Sequence, residues 1–70
     1  MRKVEIRREP IELYRLLKFE GMASSGGEAK TVIAEGLVRV NGECETRKRR
    51  KILVGDIVEF AGDKIEVTLP

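Results

Sequence analysis

The sequence predicts an α+β fold, in which two short helices pack on a small, mostly antiparallel β-sheet. In the first half of the chain, apolar residues recur at helical spacing in two segments. In the second half, short runs alternate apolar with polar residues, as strands with one buried face do. Between two such runs stands Asn41-Gly42, a pair that suits a type I′ hairpin turn. Helices early and strands late in a chain are typical of α+β proteins.

The N-terminal segment predicts a short strand followed by the first helix. Val4 and Ile6 alternate with charged residues, which is the pattern of a half-buried strand. Pro10 suits the first turn of a helix, where its missing amide costs nothing. The helix should end near Phe19, before a connector in which Gly21 is the expected stop. Its buried stripe should consist of Leu13, Leu16 and Leu17, with Ile11 and Tyr14 beside them.

A capping signal marks the start of the second helix, expected from about Gly26 to Glu35. The hydroxyl of Ser25 can accept from the amide of Glu28, while the Glu28 carboxylate reaches back, as in a capping box. Gly36 can end the helix in the left-handed conformation. Its buried face should consist of Ala29, Val32 and Ile33.

Four strands are expected after the second helix. They are Leu37–Val40, Glu43–Thr46, Ile57–Phe60 and Lys64–Leu69. Cys44 should be a small apolar filler in the second of them, and Gly55-Asp56 should form a turn before the third. The basic run 47–51 is expected in a loop or at a frayed strand end.

Size and composition limit the function. Seventy residues predict one domain spanning 1–70, too small for a deep catalytic cavity. With a single cysteine and no histidine, neither an intramolecular disulfide nor a structural zinc site within one chain is expected. The two serines that precede the second helix have no histidine to activate them, so no catalytic residue is assigned. No cofactor, metal or membrane anchor is expected, and the location should be cytoplasmic.

The distribution of positive charge points to a polyanionic partner. The net charge is only +2, but nine of the 14 basic residues fall into two groups. These groups are Arg2, Lys3, Arg7 and Arg8, and the unbroken run Arg47, Lys48, Arg49, Arg50 and Lys51. Five consecutive cations repel one another unless an anion neutralises them, which favours a nucleic-acid partner over a merely solvated loop.

The start of the second helix is the other candidate for phosphate contact. The glycines in Ser24-Ser25-Gly26-Gly27 would let a phosphate approach the helix amides, although a plain cap with glycines for loop geometry explains them equally well. Lys30, one turn further, could reach the same phosphate or be solvated. Arg39 lies between two core valines and should point away from the core. Asn41-Gly42 is first a turn device, with RNA contact secondary.

From Glu12 to Gly42, and again at Gly55-Asp56, the sequence resembles the S4 RNA-binding domain, also called the αL motif. The matching positions are Leu13, Leu17, Gly21, Ser25, Ala29, Ile33, Gly36, Val38, Val40, Asn41, Gly42, Gly55 and Asp56. The resemblance covers about residues 11–60. It is closer to the small stand-alone bacterial members, the YbcJ-like type, than to the ribosomal protein.

The resemblance implies that both helices and the following turn form an RNA-contacting face. Its contacts would fall around Ser25, Gly26, Lys30, Arg39, Asn41 and Gly42. The family often has arginine where this chain has Glu12 and Gly26, which suggests that affinity shifts to the basic run 47–51.

We therefore predict a non-enzymatic protein that binds structured RNA, with ribosomal RNA one candidate. Tyr14, Phe19 and Phe60 are the only aromatic residues, and both phenylalanines are expected in the core, so no stacking platform for single strands should remain. One alternative is a β-grasp sulfur carrier, which resembles residues 38–60 but acts through a C-terminal Gly-Gly where this chain has Leu69-Pro70. Another is a protein-interaction module whose basic loop docks on an acidic protein.

Overall fold

The computed structural model describes all residues from 1 to 70, which form two helices and seven strands. The helices are α1 (Leu13–Phe19) and α2 (Gly26–Ala34). The strands are β1 (Arg2–Glu5), β2 (Ile11–Glu12), β3 (Val38–Val40), β4 (Glu43–Cys44), β5 (Lys51–Ile52), β6 (Ile57–Phe60) and β7 (Asp63–Thr68). Neither helix is long and apolar enough to span a membrane.

Five strands form the main sheet, in the order β1-β7-β6-β3-β4. Only the β1–β7 pair is parallel, and the other three pairs are antiparallel. With two helices packed on this sheet, the predicted α+β class and the mostly antiparallel pairing are confirmed.

The core lies between the helices and one face of the sheet. The predicted leucine stripe of α1 is fully buried, and so are Ala29 and Ile33 of α2, whereas Val32 is half-buried at the edge. These residues pack on the valines and isoleucine that alternate along the central strands: Val38, Val40, Val58, Ile65 and Val67. Because successive strand residues point to opposite sides, the residues between them lie on the outer face of the sheet. That face carries Lys3, Arg39, Glu59, Lys64 and Glu66.

The basic run is attached to the start of α1. Strand β5 pairs with β2, and the amide of Leu13 donates to the carbonyl of Arg50 (2.9 Å). The amide of Tyr14 donates to the carbonyl of Lys48 (3.0 Å). These two carbonyls satisfy amides that have no acceptor within the first turn of the helix. The run lies in a loop, as predicted: residues 47–50 form a tight turn, closed by Arg50 N–H to Arg47 C=O (3.1 Å), and Lys51 begins β5. The pairing of this loop with the start of α1 was not predicted.

Two hairpin turns of the same kind connect the antiparallel strands. Asn41 and Gly42 have φ of 53° and 84°, which confirms the predicted type I′ turn. Ala61 and Gly62 repeat the geometry with φ of 53° and 81°, which the sequence did not predict because alanine is uncommon there. The predicted end of α2 at Gly36 in the left-handed conformation is also confirmed. Its φ is +76°, and the amide of Leu37 donates to the carbonyl of Val32 (3.1 Å).

Four local predictions were wrong. Pro10 lies before β2 rather than in the first turn of α1, because residues 11 and 12 pair with β5. Phe19 is 66% exposed, since it lies beside the leucine stripe of α1 rather than on it. Cys44 is also exposed, on the edge strand β4, where its thiol donates to the carbonyl of Gly36 (3.4 Å). The strand after α2 begins at Val38, and Leu37 is exposed.

Candidate nucleic-acid interface

The cap of α2 forms largely as predicted. The Oγ of Ser25 accepts a hydrogen bond from the amide of Glu28 (3.0 Å). The Glu28 carboxylate reaches back to Ser24 instead of Ser25, accepting from its amide (3.2 Å) and its hydroxyl (2.8 Å). The amides of Gly26 and Gly27 belong to the first turn and have no acceptor within the helix. They stay available to a phosphate, although the Glu28 carboxylate beside them opposes a second anion.

Replacing Ser25 by alanine should lower the free energy of unfolding by about 1 kcal/mol, because the amide of Glu28 loses its acceptor. Urea unfolding monitored by circular dichroism measures the change. Ser24→Ala is the matched control and should cost less, since the amide of Ser24 keeps its bond to Glu28. Equal losses in the two variants would show that Ser25 is not the principal cap.

Lys30 of α2 lies against α1, where the sequence had indicated no partner for it. Its Nζ is 4.8 Å from the centre of the Tyr14 ring, within cation–π range. Arg15 stands beside the same ring and donates from Nε to the Tyr14 hydroxyl (3.2 Å). That hydrogen bond lowers the pKa of Tyr14, aided by the positive charges of Arg15 and Lys30. Tyr14 therefore holds two cations side by side.

The basic turn continues this positive surface. Glu12, which precedes α1, contacts Arg15 (3.3 Å) and Arg49 (3.7 Å) and so joins the helix to the turn. The backbone of Lys48 is already bonded to Tyr14. We call the surface formed by Arg15, Lys30, Lys48 and Arg49 the α1 basic face. Gly26 lies four residues before Lys30, on the same side of α2, so the start of α2 borders this face.

Two members of the basic run are held by a buried carboxylate. Glu45 is only 6% exposed, and its Oε2 accepts from the amide (2.9 Å) and Nε (3.0 Å) of Arg47. Its Oε1 accepts from Nη2 of Arg47 (3.1 Å) and Nη1 of Arg50 (2.9 Å). Chiefly because of the Arg47 hydrogen bond, the pKa of Glu45 falls to about 2. The expectation that the run needs an external anion was therefore too simple, since one internal carboxylate neutralises part of it.

The remaining charge of the run surrounds an open cleft. This cationic cleft has a volume of about 420 Å³ and is lined by Arg47, Arg49, Arg50 and Lys51, with no apolar residue. Arg49 and Lys51 make no contact with Glu45, and the single ion pair of Arg49, with Glu12, is long and exposed. An open surface of this charge suits a phosphate, to which arginine offers planar paired donors and lysine a point charge.

The structure separates the other predicted contacts from this surface. Arg39 is exposed on the outer face of the sheet, in register with Glu59. The side chain of Asn41 is committed internally, because Oδ1 accepts from the amide of Ile57 (2.9 Å) and Nδ2 donates to Asp56 (3.0 Å). Asn41 thus ties its turn to the Gly55-Asp56 turn, and Gly42 serves the turn conformation. Lys30 is linked to the basic run through Tyr14, whose ring it contacts and whose amide bonds to Lys48, whereas Arg39 lies on the outer face of the sheet.

Two side chains that the sequence analysis did not assign belong to the surface. Arg15 was not assigned, because the sequence does not indicate which residue a cation on the polar side of a helix will contact. Lys18 was not assigned either, yet its stem passes the start of α2, where a methyl group at Gly26 would lie 4.0 Å from its Cδ. The approach of Lys18 to Gly26 joins the two helices, which local sequence patterns do not reveal.

Known proteins resemble this chain in sequence and in architecture. A family model described as the S4 domain matches residues 4–68. YbcJ of Escherichia coli (strain K12), for which RNA binding is proposed, is 54% identical over 57 residues, which cover 81% of each chain. RlbA of Bacillus subtilis (strain 168), for which a role in ribosome maturation is proposed, is 42% identical over 59 residues, covering 84% of this chain and 83% of RlbA.

The solution structure of Escherichia coli YbcJ has the same fold. It superposes with a TM-score of 0.73 at 48% identity, covering 97% of this chain and 87% of the other. That structure is described as revealing an αL motif involved in RNA binding. The predicted resemblance, including that to the small YbcJ-like type, is therefore confirmed. The chain belongs to the S4 domain family.

Proposed function

We propose that this protein binds structured RNA, without catalysing a reaction, through the α1 basic face and the cationic cleft. The observation that carries the proposal is the concave group of Arg47, Arg49, Arg50 and Lys51, which continues through Glu12 and Arg15 to Lys30. Residues 1–70 would act as one RNA-binding domain in the cytoplasm. The RNA-binding motif described for the YbcJ structure supports the same partner.

The proposed contacts differ in how many hydrogen-bond donors each residue has free for RNA. Arg49, Lys51, Lys48 and Lys30 would contact phosphates directly, and Arg47 and Arg50 would do so with the donors that Glu45 leaves free. At the start of α2, the amides of Gly26 and Gly27 would donate hydrogen bonds to one more phosphate oxygen beside the Ser24 and Ser25 cap. Arg39, Asn41 and Gly42 would contribute only if the RNA also reached the hairpin and the outer face of the sheet.

Structured RNA fits this arrangement because the surface offers charged donors rather than base-reading groups. An A-form helix presents regularly spaced phosphates and 2′-hydroxyls to a surface of this kind. Ribosomal RNA is the leading candidate, since a role in ribosome maturation is proposed for the relative RlbA. A protein module with a basic docking loop is the rival function, and binding that survives nuclease treatment would favour it.

A competition assay tests the class of RNA. A blunt hairpin should compete more strongly for the protein than an unstructured strand of equal length and charge. The reason is that duplex phosphates stand at fixed spacing, whereas a strand must lose conformational freedom to match the same cations. Stronger competition by the unstructured strand would contradict the proposed preference.

A further inference from the structure

A second cleft lies on another side of α1, between the helix and the segment that follows β1. Its volume is about 500 Å³, within the range of small-ligand sites. Part of its wall is apolar, from Pro10, Ile11 and Phe19, and part is basic, from Arg7, Arg8 and Arg15. The RNA contacts proposed above use none of these residues except Arg15.

Phe19 gives this cleft an accessible aromatic ring. Phe19 is the last residue of α1, and 66% of its surface is exposed to solvent. Of the three aromatic residues, Phe19 alone is exposed, whereas Tyr14 and Phe60 are half-buried against the core. An exposed aromatic face supports stacking of a nucleobase of any sequence, which is how many proteins bind single strands.

The charges around the ring favour an anionic ligand. Arg7 and Arg8 are exposed, and neither forms an ion pair or a side-chain hydrogen bond within the protein. Of the acidic residues on the cleft wall, Glu12 is paired with Arg15 and Glu20 with Arg2, at 3.3 and 3.5 Å. Glu5 is the third, and against the two unpaired guanidinium groups it leaves an excess of one positive charge. A ligand with a flat ring and a phosphate matches this combination.

The cleft is continuous with the proposed RNA surface. Arg15 lines the cleft and donates to the Tyr14 hydroxyl on the α1 basic face. Arg15 and Phe19 are four residues apart and therefore lie on the same side of α1. An RNA strand that leaves the basic face can pass Arg15 and enter the cleft.

We infer that this cleft binds an unpaired nucleotide adjoining the RNA helix, with its base stacked on Phe19 and its phosphate held by Arg7 and Arg8. The inference rests on the proposed function, because it assumes that a structured RNA occupies the basic face. It adds a preferred substrate, a hairpin with a single-stranded extension. It also replaces the prediction that no aromatic stacking platform remains.

A fluorescence binding assay with three RNAs tests the inference. One is a blunt hairpin, and the other two are the same hairpin with a short single-stranded extension that carries 2-aminopurine, at the 5′ end in one and at the 3′ end in the other. The parent protein should bind one of the extended hairpins about tenfold more tightly than the blunt hairpin, which corresponds to one stacked base. The 2-aminopurine emission should be quenched in that complex.

Variants then test whether the gain in affinity comes from the cleft. Phe19→Leu should abolish the tenfold gain and the quenching and leave the affinity for the blunt hairpin unchanged. Phe19→Tyr should retain both, because the ring is kept. Arg7→Gln combined with Arg8→Gln should reduce the gain and flatten its salt dependence. Leu37→Ala removes an exposed apolar side chain elsewhere and should change neither measurement.

The outcomes separate this inference from the proposed function. If the parent binds no hairpin, the proposed function fails and the inference with it. If the parent binds the blunt hairpin but gains nothing from either extension, the inference alone is overturned. It is also overturned if Phe19→Leu keeps the full gain, because the extension would then bind outside the cleft.

Discussion

Replacing Glu45 by glutamine should lower the free energy of unfolding by about 2 kcal/mol. The carboxylate is 6% exposed and accepts four hydrogen bonds from Arg47 and Arg50. Breaking a buried ion pair by removing one partner costs about 3–5 kcal/mol. We expect less here because the Arg47 side chain is 75% exposed and can regain water. For a chain of this size, the loss corresponds to a fall in Tm of roughly 8–16 °C.

Thermal unfolding measured by circular dichroism tests this prediction against a matched control. Glu43→Gln makes the same chemical change two residues earlier, at an exposed position on the edge strand β4 that forms no ion pair. Its Tm should stay close to that of the parent. If both variants lose the same stability, the Glu45 hydrogen bonds are not what anchors the basic turn.

The pH dependence of stability provides a second test of Glu45. Its pKa falls from an ordinary value of 4.5 to about 2 in the folded protein. Between these values the unfolded chain binds a proton that the folded protein does not, so acid favours unfolding. The contribution of Glu45 is therefore complete above about pH 5 and is lost as the pH falls towards 2. Glu45→Gln should flatten this part of the profile, leaving weaker effects such as the lowered pKa of Asp63 beside Arg2.

The sequence predicted those parts of the fold that depend on neighbouring residues. The Ser25 cap, the Gly36 stop and the Asn41-Gly42 turn each need particular residues at fixed short spacing, and all three formed. Ala61 shows the limit of such rules, because the context of two paired strands imposes a conformation that alanine alone rarely adopts. Phe19 shows another limit, since a small core has room for the leucine stripe but not for every large apolar side chain.

The candidate site was less predictable, because its geometry joins distant residues. Glu45 is the acidic residue nearest to the basic run in the sequence, but nothing in the sequence indicates that folding buries it against Arg47 and Arg50. The alternation in β3 correctly placed Arg39 outside the core, but it could not reveal that the outer face of the sheet is remote from Lys30. Which cations share a surface depends on how α1, α2 and the basic turn pack.

Removing Arg49 and Lys51 together should have the largest effect on RNA binding. Both line the cationic cleft, and neither bonds to Glu45, so Arg49→Gln combined with Lys51→Gln should leave the fold intact. Each lost phosphate contact reduces the magnitude of the negative slope of log affinity against log salt by about 0.9. The double variant should therefore lose about 1.8 from the slope, and its affinity for a blunt hairpin should fall by about tenfold to a hundredfold near 0.1 M salt.

A second double variant controls for net charge. Lys3→Gln combined with Lys64→Gln also reduces the net charge from +2 to 0, but on the outer face of the sheet. If position matters more than total charge, this control should keep nearly the parental slope, because long-range attraction is screened beyond about 10 Å at that salt concentration. Equal slopes for the two double variants would show that the cleft contributes to RNA binding only through its net charge. A larger loss in the control would place the RNA on the outer face of the sheet, beside Arg39.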